Sequence, residues 1–113
     1  MEETDALAAL SALSQPLRLA AFRKLVVAGG EGMAAGALAA ALGARSNTLS
    51  SALALLQSAG LVRSERQGRS IRYFARMDGV RGLLAFLIED CCRGAPEICR
   101  PALEELMPGG CGC

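Results

Sequence analysis

The stretch SNTLSSALALLQSAGLVRSERQGRSIRYFA (residues 46–75) contains a helix pattern followed directly by a hairpin pattern. Apolar residues recur at helical spacing over residues 46–59, and Gly60 follows as a helix terminator. The leucines on the side facing the core are Leu49, Leu53 and Leu56. We therefore predict an amphipathic helix with one buried face.

The second half of the stretch has strand periodicity. Residues 61–66 and 70–75 are predicted strands, joined by a turn of Gln67, Gly68 and Arg69. The residues that alternate on one face of the second strand are Ile71, Tyr73 and Ala75. A helix followed by a hairpin is thus expected.

A short alanine-rich helix is predicted just before this stretch, over residues 34–42, with Leu38 and Leu42 four positions apart. Gly43 permits a sharp turn after it. Two short helices across a glycine turn are the outline of a helix-turn-helix. With the hairpin, they predict a winged helix-turn-helix that is mainly α-helical with one small β-hairpin.

Two further helices are predicted at the N-terminus. The first covers roughly residues 5–13, with Thr4 as its cap and Leu7, Leu10 and Leu13 at helical spacing. The second begins after a Ser14 cap with Pro16 in its first turn and ends near Gly29 and Gly30. Its apolar positions are Leu19, Phe22, Leu25 and Val26.

A last helix is predicted from about Gly79 to the adjacent cysteines Cys91 and Cys92. It is too apolar for the surface of a monomer, and a chain of 113 residues forms one domain with a small core. We therefore expect a homodimer formed through the first and last helices. Residues 93–113 are predicted to be a cysteine-containing extension of this single domain (1–113), flexible from about residue 107.

The predicted DNA contacts lie on the outward face of the 46–59 helix and on the hairpin. Small polar side chains there suit a helix that enters a major groove, and arginines suit phosphate contacts. Alternatively, the polar face is simply solvated and the arginines protect an exposed strand edge. The predicted DNA-binding residues are Arg45, Ser46, Asn47, Thr48, Ser50, Ser51, Arg66, Gln67, Arg69 and Arg72.

Charge placement supports this interpretation. The formal net charge is only +1, yet five of the twelve basic residues lie within residues 63–76, with Glu65 as the one acid. No apolar run approaches the roughly 18 residues that cross a bilayer, and the start of the chain is acidic where a signal peptide would be basic. We expect a soluble cytoplasmic protein with no membrane partner.

All five cysteines lie in the last quarter of the chain, and the number is odd. Thiols of a cytosolic protein stay reduced, so we interpret them as ligands or redox groups. Cys91 and Cys92 have Cα atoms about 3.8 Å apart, which is shorter than the roughly 4.4 to 6.8 Å of an unstrained disulfide. Gly94 and Pro96 end the helix and permit the chain to bring Cys99 back.

The absence of histidine excludes imidazole-based zinc, nickel and copper(II) sites. Thiolates alone favour As(III), Sb(III), cadmium, lead, mercury or copper(I), and three thiolates match the three bonds of As(III). The predicted metal site is Cys91, Cys92 and Cys99, although the cysteines could also be small buried hydrophobic residues. Cys111 and Cys113 are an accessory site or idle thiols.

Several segments resemble the ArsR (ArsR/SmtB) family of metalloregulatory repressors. The similar segments are 48–53, 55–62, 66–69, Tyr73 and residues 16–18 (Pro-Leu-Arg), and the likeness covers about residues 4–92. The resemblance implies a dimeric winged helix that occupies its own promoter and leaves when an inducer binds.

The chain also departs from the family pattern. The segment 33–42 lacks the cysteine motif of many arsenic sensors, Ala52 replaces a histidine often found in the recognition helix, and the last helix lacks the ligands of zinc sensors. A subgroup of arsenic repressors with adjacent cysteines at the end of the last helix and a third shortly after is similar to this chain.

The sequence therefore predicts a repressor that binds double-stranded operator DNA as a homodimer and dissociates when arsenite, antimonite or a methylated trivalent arsenical (methylarsenite) binds. No organic cofactor and no enzymatic activity are expected. The alternatives are a repressor of the same fold that senses thiol oxidation or cadmium and lead, and, more distantly, a small thiol oxidoreductase. The oxidoreductase is disfavoured because a helix C-terminus raises the pKa of a thiol.

Overall fold

The computed structural model describes residues 1–88. Over this range the chain forms five α-helices, a short 3₁₀ turn (Gly29–Glu31) and three strands. In chain order they are α1 (Glu3–Leu13), α2 (Pro16–Ala28), β1 (Met33–Ala34), α3 (Ala35–Leu42), α4 (Ser46–Ser58), β2 (Val62–Gln67), β3 (Ser70–Ala75) and α5 (Met77–Ile88). This order confirms the predicted winged helix-turn-helix, with α3 and α4 as the helix-turn-helix and β2–β3 as the wing.

The three strands form an antiparallel sheet in the order β1-β3-β2. In the wing, Val62 pairs with Ala75 and Gln67 pairs with Ser70, so the connecting turn is Gly68 and Arg69 alone and Gln67 belongs to the strand. Strand β1 was not predicted, because its two residues pair with Tyr73 and Arg72 only through the tertiary fold. Such a short segment has no periodicity of its own.

The core of the described subunit is formed by side chains of α1 to α5 and the start of β2. The predicted leucine stripe of α4 is confirmed, since Leu49, Leu53 and Leu56 are all buried. Ala52 is buried beside them. The remaining members of the core cluster are Ala6, Ala9, Ala12, Ala21, Phe22, Leu25, Leu38, Ala39, Leu61, Val62 and Leu83.

Both predicted N-caps of the first two helices are wrong. Helix α1 begins two residues earlier than expected, and its N-cap is Glu2, whose backbone N–H donates to Asp5 Oδ2 (3.2 Å). Helix α2 is capped by Gln15 instead of Ser14, because the longer Gln15 side chain accepts from the Arg18 backbone N–H (2.9 Å). Asp5 Oδ2 in α1 and Gln15 Oε1 in α2 each accept from a backbone N–H at the start of the helix that would otherwise lack a partner.

The apolar faces of α1 and α2 also differ from the prediction. Helix α1 buries Ala6, Ala9 and Ala12, whereas Leu7 and Leu10 are exposed and Leu13 is half-buried. The small alanine side chains let α1 approach α2 closely, and Arg18 Nε donates across the two helices to Ala12 O (2.7 Å). In α2, the predicted Phe22 and Leu25 are buried, but Leu19 and Val26 are exposed.

Helix α5 begins at Met77, two residues before the predicted start. Leu83 faces the core, while Leu84 and Leu87 are exposed. The predicted end of this helix at Cys91 and Cys92, the predicted extension 93–113 with its flexible tail from about 107, and all five cysteines lie outside the described residues. Within residues 1–88, no helix is long and apolar enough to cross a membrane.

Candidate nucleic-acid interface

The N-terminal half of α4 presents a polar face to solvent. The chain enters the helix from Arg45 in an extended conformation, with its side chain making no cap hydrogen bond. The predicted DNA-binding residues of this segment are all exposed, and they are Arg45, Ser46, Asn47, Thr48, Ser50 and Ser51. Because Leu49 among these residues and Ala52 directly after them are buried, the face is set by a fixed core contact.

Local hydrogen bonds order part of this face. Asn47 Oδ1 accepts from the Thr48 backbone N–H (2.9 Å), and Ser51 Oγ donates to Asn47 O (3.2 Å). The Asn47 carboxamide is therefore held through its oxygen, with its NH₂ group left to donate to a base edge or phosphate.

The C-terminal half of α4 is tied to the wing. Gln57 Nε2 donates to Ser64 Oγ in β2 (3.2 Å), and Leu61 N–H donates to Leu56 O (3.0 Å). The sequence did not single out Gln57 or Ser64. Gln57 lies one turn before Gly60, and Ser64 lies in the strand that follows. These positions are the only signal in the sequence that pointed to this contact.

The arginines of the wing divide into two groups. Arg63 bonds Glu65 (2.7 Å) and its guanidinium lies 4.1 Å from the centroid of the Phe74 ring. Arg76 bonds Asp78 (2.9 Å) and lowers the pKa of that carboxyl. At the exposed wing tip, Arg66 and Arg69 form no salt bridge with any residue of the range 1–88.

Arg72 lies below the tip. It is half-buried, and its Nε donates to Glu31 O (2.6 Å), so the side chain ties β3 to the 3₁₀ turn. Gln67, the other predicted wing contact, is exposed at the end of β2. The arrangement thus leaves two cations at the tip without an ionic partner among residues 1–88 and keeps three arginines in contacts within the subunit.

Phe74 is the wing residue that the sequence missed. The predicted face of β3 is confirmed for Tyr73 and Ala75, which pack against the core, whereas Ile71 is exposed. Phe74 points to the other face and is nevertheless buried, under Arg63 and Gly32. The signal available in the sequence was an aromatic residue at a strand position that was expected to be polar.

The predicted metal ligands cannot be placed on this geometry, because Cys91, Cys92, Cys99, Cys111 and Cys113 lie outside the described residues. Within residues 1–88, no group of three or more His, Cys, Asp or Glu side chains could hold a metal ion.

A solvated polar helix face beside an arginine-tipped hairpin defines a winged helix-turn-helix DNA-binding protein. A family model described as a helix-turn-helix domain matches residues 13–65. NolR from Sinorhizobium fredii is 35% identical, with 76% of this chain and 83% of NolR covered and a TM-score of 0.60. No curated protein sequence matches the chain.

Two further solved structures are similar. The homodimeric winged helix-turn-helix DNA-binding domain Mb0332 from Mycobacterium bovis, a possible ArsR-family transcriptional regulator, is 26% identical over 79% of this chain and 81% of that one (TM-score 0.61). An ArsR-like transcriptional regulator from Rhodococcus sp. RHA1 has the same fold, at 24% identity over 91% of this chain and 92% of that one (TM-score 0.70). The chain belongs to the ArsR family of DNA-binding transcriptional regulators, which are not enzymes.

Proposed function

We propose that the protein is an As(III)-responsive repressor that binds operator DNA as a homodimer and releases it when arsenite, antimonite or methylarsenite binds its cysteines. The DNA-binding part of the proposal rests on the exposed polar face of α4. Buried leucines fix this face from behind, and the wing-tip arginines, which have no ionic partner among residues 1–88, flank it. The proposed response to As(III) rests on the cysteine pattern of the sequence.

On the DNA, α4 occupies a major groove with Asn47, Ser50 and Ser51 at base edges. Arg66 and Arg69 contact the phosphate backbone or the adjacent minor groove. In a dimer, the two recognition helices enter successive major grooves about 34 Å apart, so the operator is expected to be palindromic.

The dimer uses the leucines that the subunit leaves uncovered. Leu7 and Leu10 on α1 are 60% and 42% exposed, and Leu84 and Leu87 on α5 are 44% and 49% exposed. Helices α1 and α5 contact each other within the subunit. Apolar surface of this kind, on two neighbouring helices, favours a second copy of the chain over solvent.

Induction requires that As(III) bind the DNA-incompetent dimer more tightly. Cys91, Cys92 and Cys99 replace the three hydroxyl groups of arsenite, which leave as water, and two of these thiols replace the two hydroxyl groups of methylarsenite, whose third bond is to carbon. The chain has no histidine to compete. In this proposal, binding of one As(III) by the three thiolates changes how the two subunits pack. A preference of about 3 kcal/mol weakens operator affinity roughly a hundredfold.

The test begins with DNA selected from a random pool by the thiol-reduced native protein. The complex is then titrated with arsenite, antimonite, methylarsenite, cadmium, lead and zinc, and DNA release is followed by fluorescence anisotropy. Release by the trivalent arsenicals is expected. A Cys91→Ser/Cys92→Ser/Cys99→Ser variant should bind DNA normally and resist arsenite, whereas Cys111→Ser/Cys113→Ser is the matched control and should respond as the native protein does.

Each contrary outcome has a definite meaning. If the native protein selects no DNA, the repressor function is wrong; if the triple variant still releases DNA with arsenite, this site is wrong. Release by cadmium or lead alone assigns another soft metal. Release by peroxide in the absence of arsenic assigns the remaining alternative, a repressor of the same fold that senses thiol oxidation.

A further inference from the structure

The first turn of α5 lies directly on the backbone that follows α4, with no side chain between them. A Cβ atom added at Gly79 would lie 2.2 Å from Gly60 O and 3.2 Å from Gly60 C. Real Cβ atoms do not approach a backbone oxygen so closely, because nonbonded carbon contacts are most favourable at about 3.5–4.0 Å. Only glycine at position 79 allows α5 to sit where it does.

Hydrogen bonds fix both sides of this contact. Arg76 N–H donates to Leu61 O (2.8 Å), which holds the segment before α5 against the start of β2. On the other side, Leu61 N–H donates to Leu56 O (3.0 Å) and Gly60 N–H donates to Gln57 O (3.0 Å), which closes the end of α4. We call Gly60, Leu61, Arg76 and Gly79 the α4–α5 junction.

We propose that the α4–α5 junction sets the angle between α4, the recognition helix, and α5, a helix of the proposed dimer interface. Gly79 is therefore a positioning residue for operator binding, although it touches no DNA. This inference rests on the proposed homodimeric repressor. It adds the particular contact through which a change in dimer packing reaches α4.

The size of the effect follows from the geometry. A methyl group at position 79 must open the contact with Gly60 O from 2.2 Å to about 3.5 Å, a displacement of about 1.3 Å, to reach an ordinary distance. Helix α4 has 13 residues and is about 20 Å long, so a displacement at its C-terminal end tilts the whole helix. Because the core face of α4 is tightly packed, the tilt moves the helix as a body and changes the separation of the two recognition helices in a dimer.

The experiment compares Gly79→Ala with Gly82→Ala in the same helix. Both gain the same helix propensity, but a Cβ at Gly82 meets only the flexible Met1 side chain, at 3.3 Å. Full-length native and variant proteins are titrated against the DNA selected above, against a half-site in which one arm is scrambled, and against sites with one base pair inserted or removed between the arms. Thermal unfolding and sedimentation establish that fold and dimer persist.

We expect Gly79→Ala to bind the intact two-arm site about tenfold more weakly, to bind the half-site with unchanged affinity, and to prefer an altered spacing. Gly82→Ala should match the native protein on all sites. Equal weakening on both the full site and the half-site indicates local damage to α4 and overturns the inference, as does native-like binding by Gly79→Ala. Failure of the native protein to select DNA overturns the proposed function instead.

If Gly79→Ala does not fold, hydrogen exchange of a backbone amide in the native protein tests the inference instead. The Arg76 N–H, which bonds Leu61 O, should exchange more slowly on the two-arm site than on the half-site, because only the two-arm site holds both recognition helices at a fixed separation. Equal exchange of this amide on the two DNAs overturns the inference.

Discussion

Gly32, like Gly79, is a glycine in the described subunit whose added Cβ would meet another backbone at under 3 Å. Its φ of 61° is left-handed, and an added Cβ would lie 2.3 Å from Tyr73 O and 2.6 Å from the Phe74 ring. The residue is buried where the 3₁₀ turn passes beneath β3. Both the backbone conformation and the space therefore require glycine, and the burial of Phe74 depends on it.

Gly32→Ala is accordingly expected to lower the free energy of unfolding by about 3 kcal/mol, from the left-handed backbone and the overpacked aromatic ring together. Gly30→Ala is the matched control, because Gly30 is exposed and nothing lies within 4 Å of its added Cβ. That variant should stay within about 0.5 kcal/mol of the native protein. Urea denaturation measures both; equal stabilities of the two variants would contradict the packing described for Phe74.

The five arginines within residues 63–76 divide into those with contacts inside the subunit and those at the wing tip. Arg63, Arg72 and Arg76 are engaged within the subunit, while Arg66 and Arg69 stand at the tip. The sequence placed all five in one basic patch because charge and spacing are the same for each. Which of them is engaged depends on Glu65, Phe74, Glu31 and Asp78. Two of these contacts, those with Phe74 and Glu31, need the folded hairpin or the turn beside it.

Arg69→Ala should reduce the slope of log affinity against log salt by about 1, because one phosphate contact is lost, and should leave stability unchanged. Arg63→Ala should leave that slope unchanged and lower the free energy of unfolding by about 1 kcal/mol through loss of the Phe74 contact. DNA titrations over a salt series, paired with denaturation, measure both quantities. A reduced slope for Arg63→Ala, or an unchanged one for Arg69→Ala, would contradict this division.

The helices differ in how far their sequences predict them. Helix α4 has leucines at the spacing of one face, and that face is buried as expected. Helix α1 also has spaced leucines, yet it buries its alanines instead, because close packing on α2 requires small side chains. Hydrophobicity alone cannot distinguish a face that packs within the subunit from one left for a second copy of the chain.

The subunit as a whole leaves apolar surface on α1 and α5. Helix α5 has one face on the core through Leu83 and a second, exposed face with Leu84 and Leu87. The sequence predicted the excess of apolar residues in this helix and hence a homodimer. The exposure of the polar face of α4 was likewise predictable, but its contact with DNA remains a prediction. The cysteine site also remains a prediction because its residues lie outside the described range.

Leu84→Glu should convert the dimer to a monomer at micromolar concentration, because a charge placed in a desolvated apolar interface is costly. The fold should persist, since Leu84 is 44% exposed in the subunit. Val27→Glu on α2 is the control, with a more exposed side chain (86%) outside the proposed interface, and should remain dimeric. Sedimentation velocity measures the difference, and a dimeric Leu84→Glu protein would place the interface elsewhere.

Strand β1 supports the wing only at the middle of β3, where it pairs with Arg72 and Tyr73, and within residues 1–88 the outer part of the hairpin consists of two strands alone. A hairpin that is supported at its middle and free beyond it bends most near its end. The arginine-bearing tip can therefore follow a groove whose width varies with base composition. We expect the promoters that this regulator occupies to share the bases that face α4. Their flanking sequences should resemble one another in groove shape more than in base sequence.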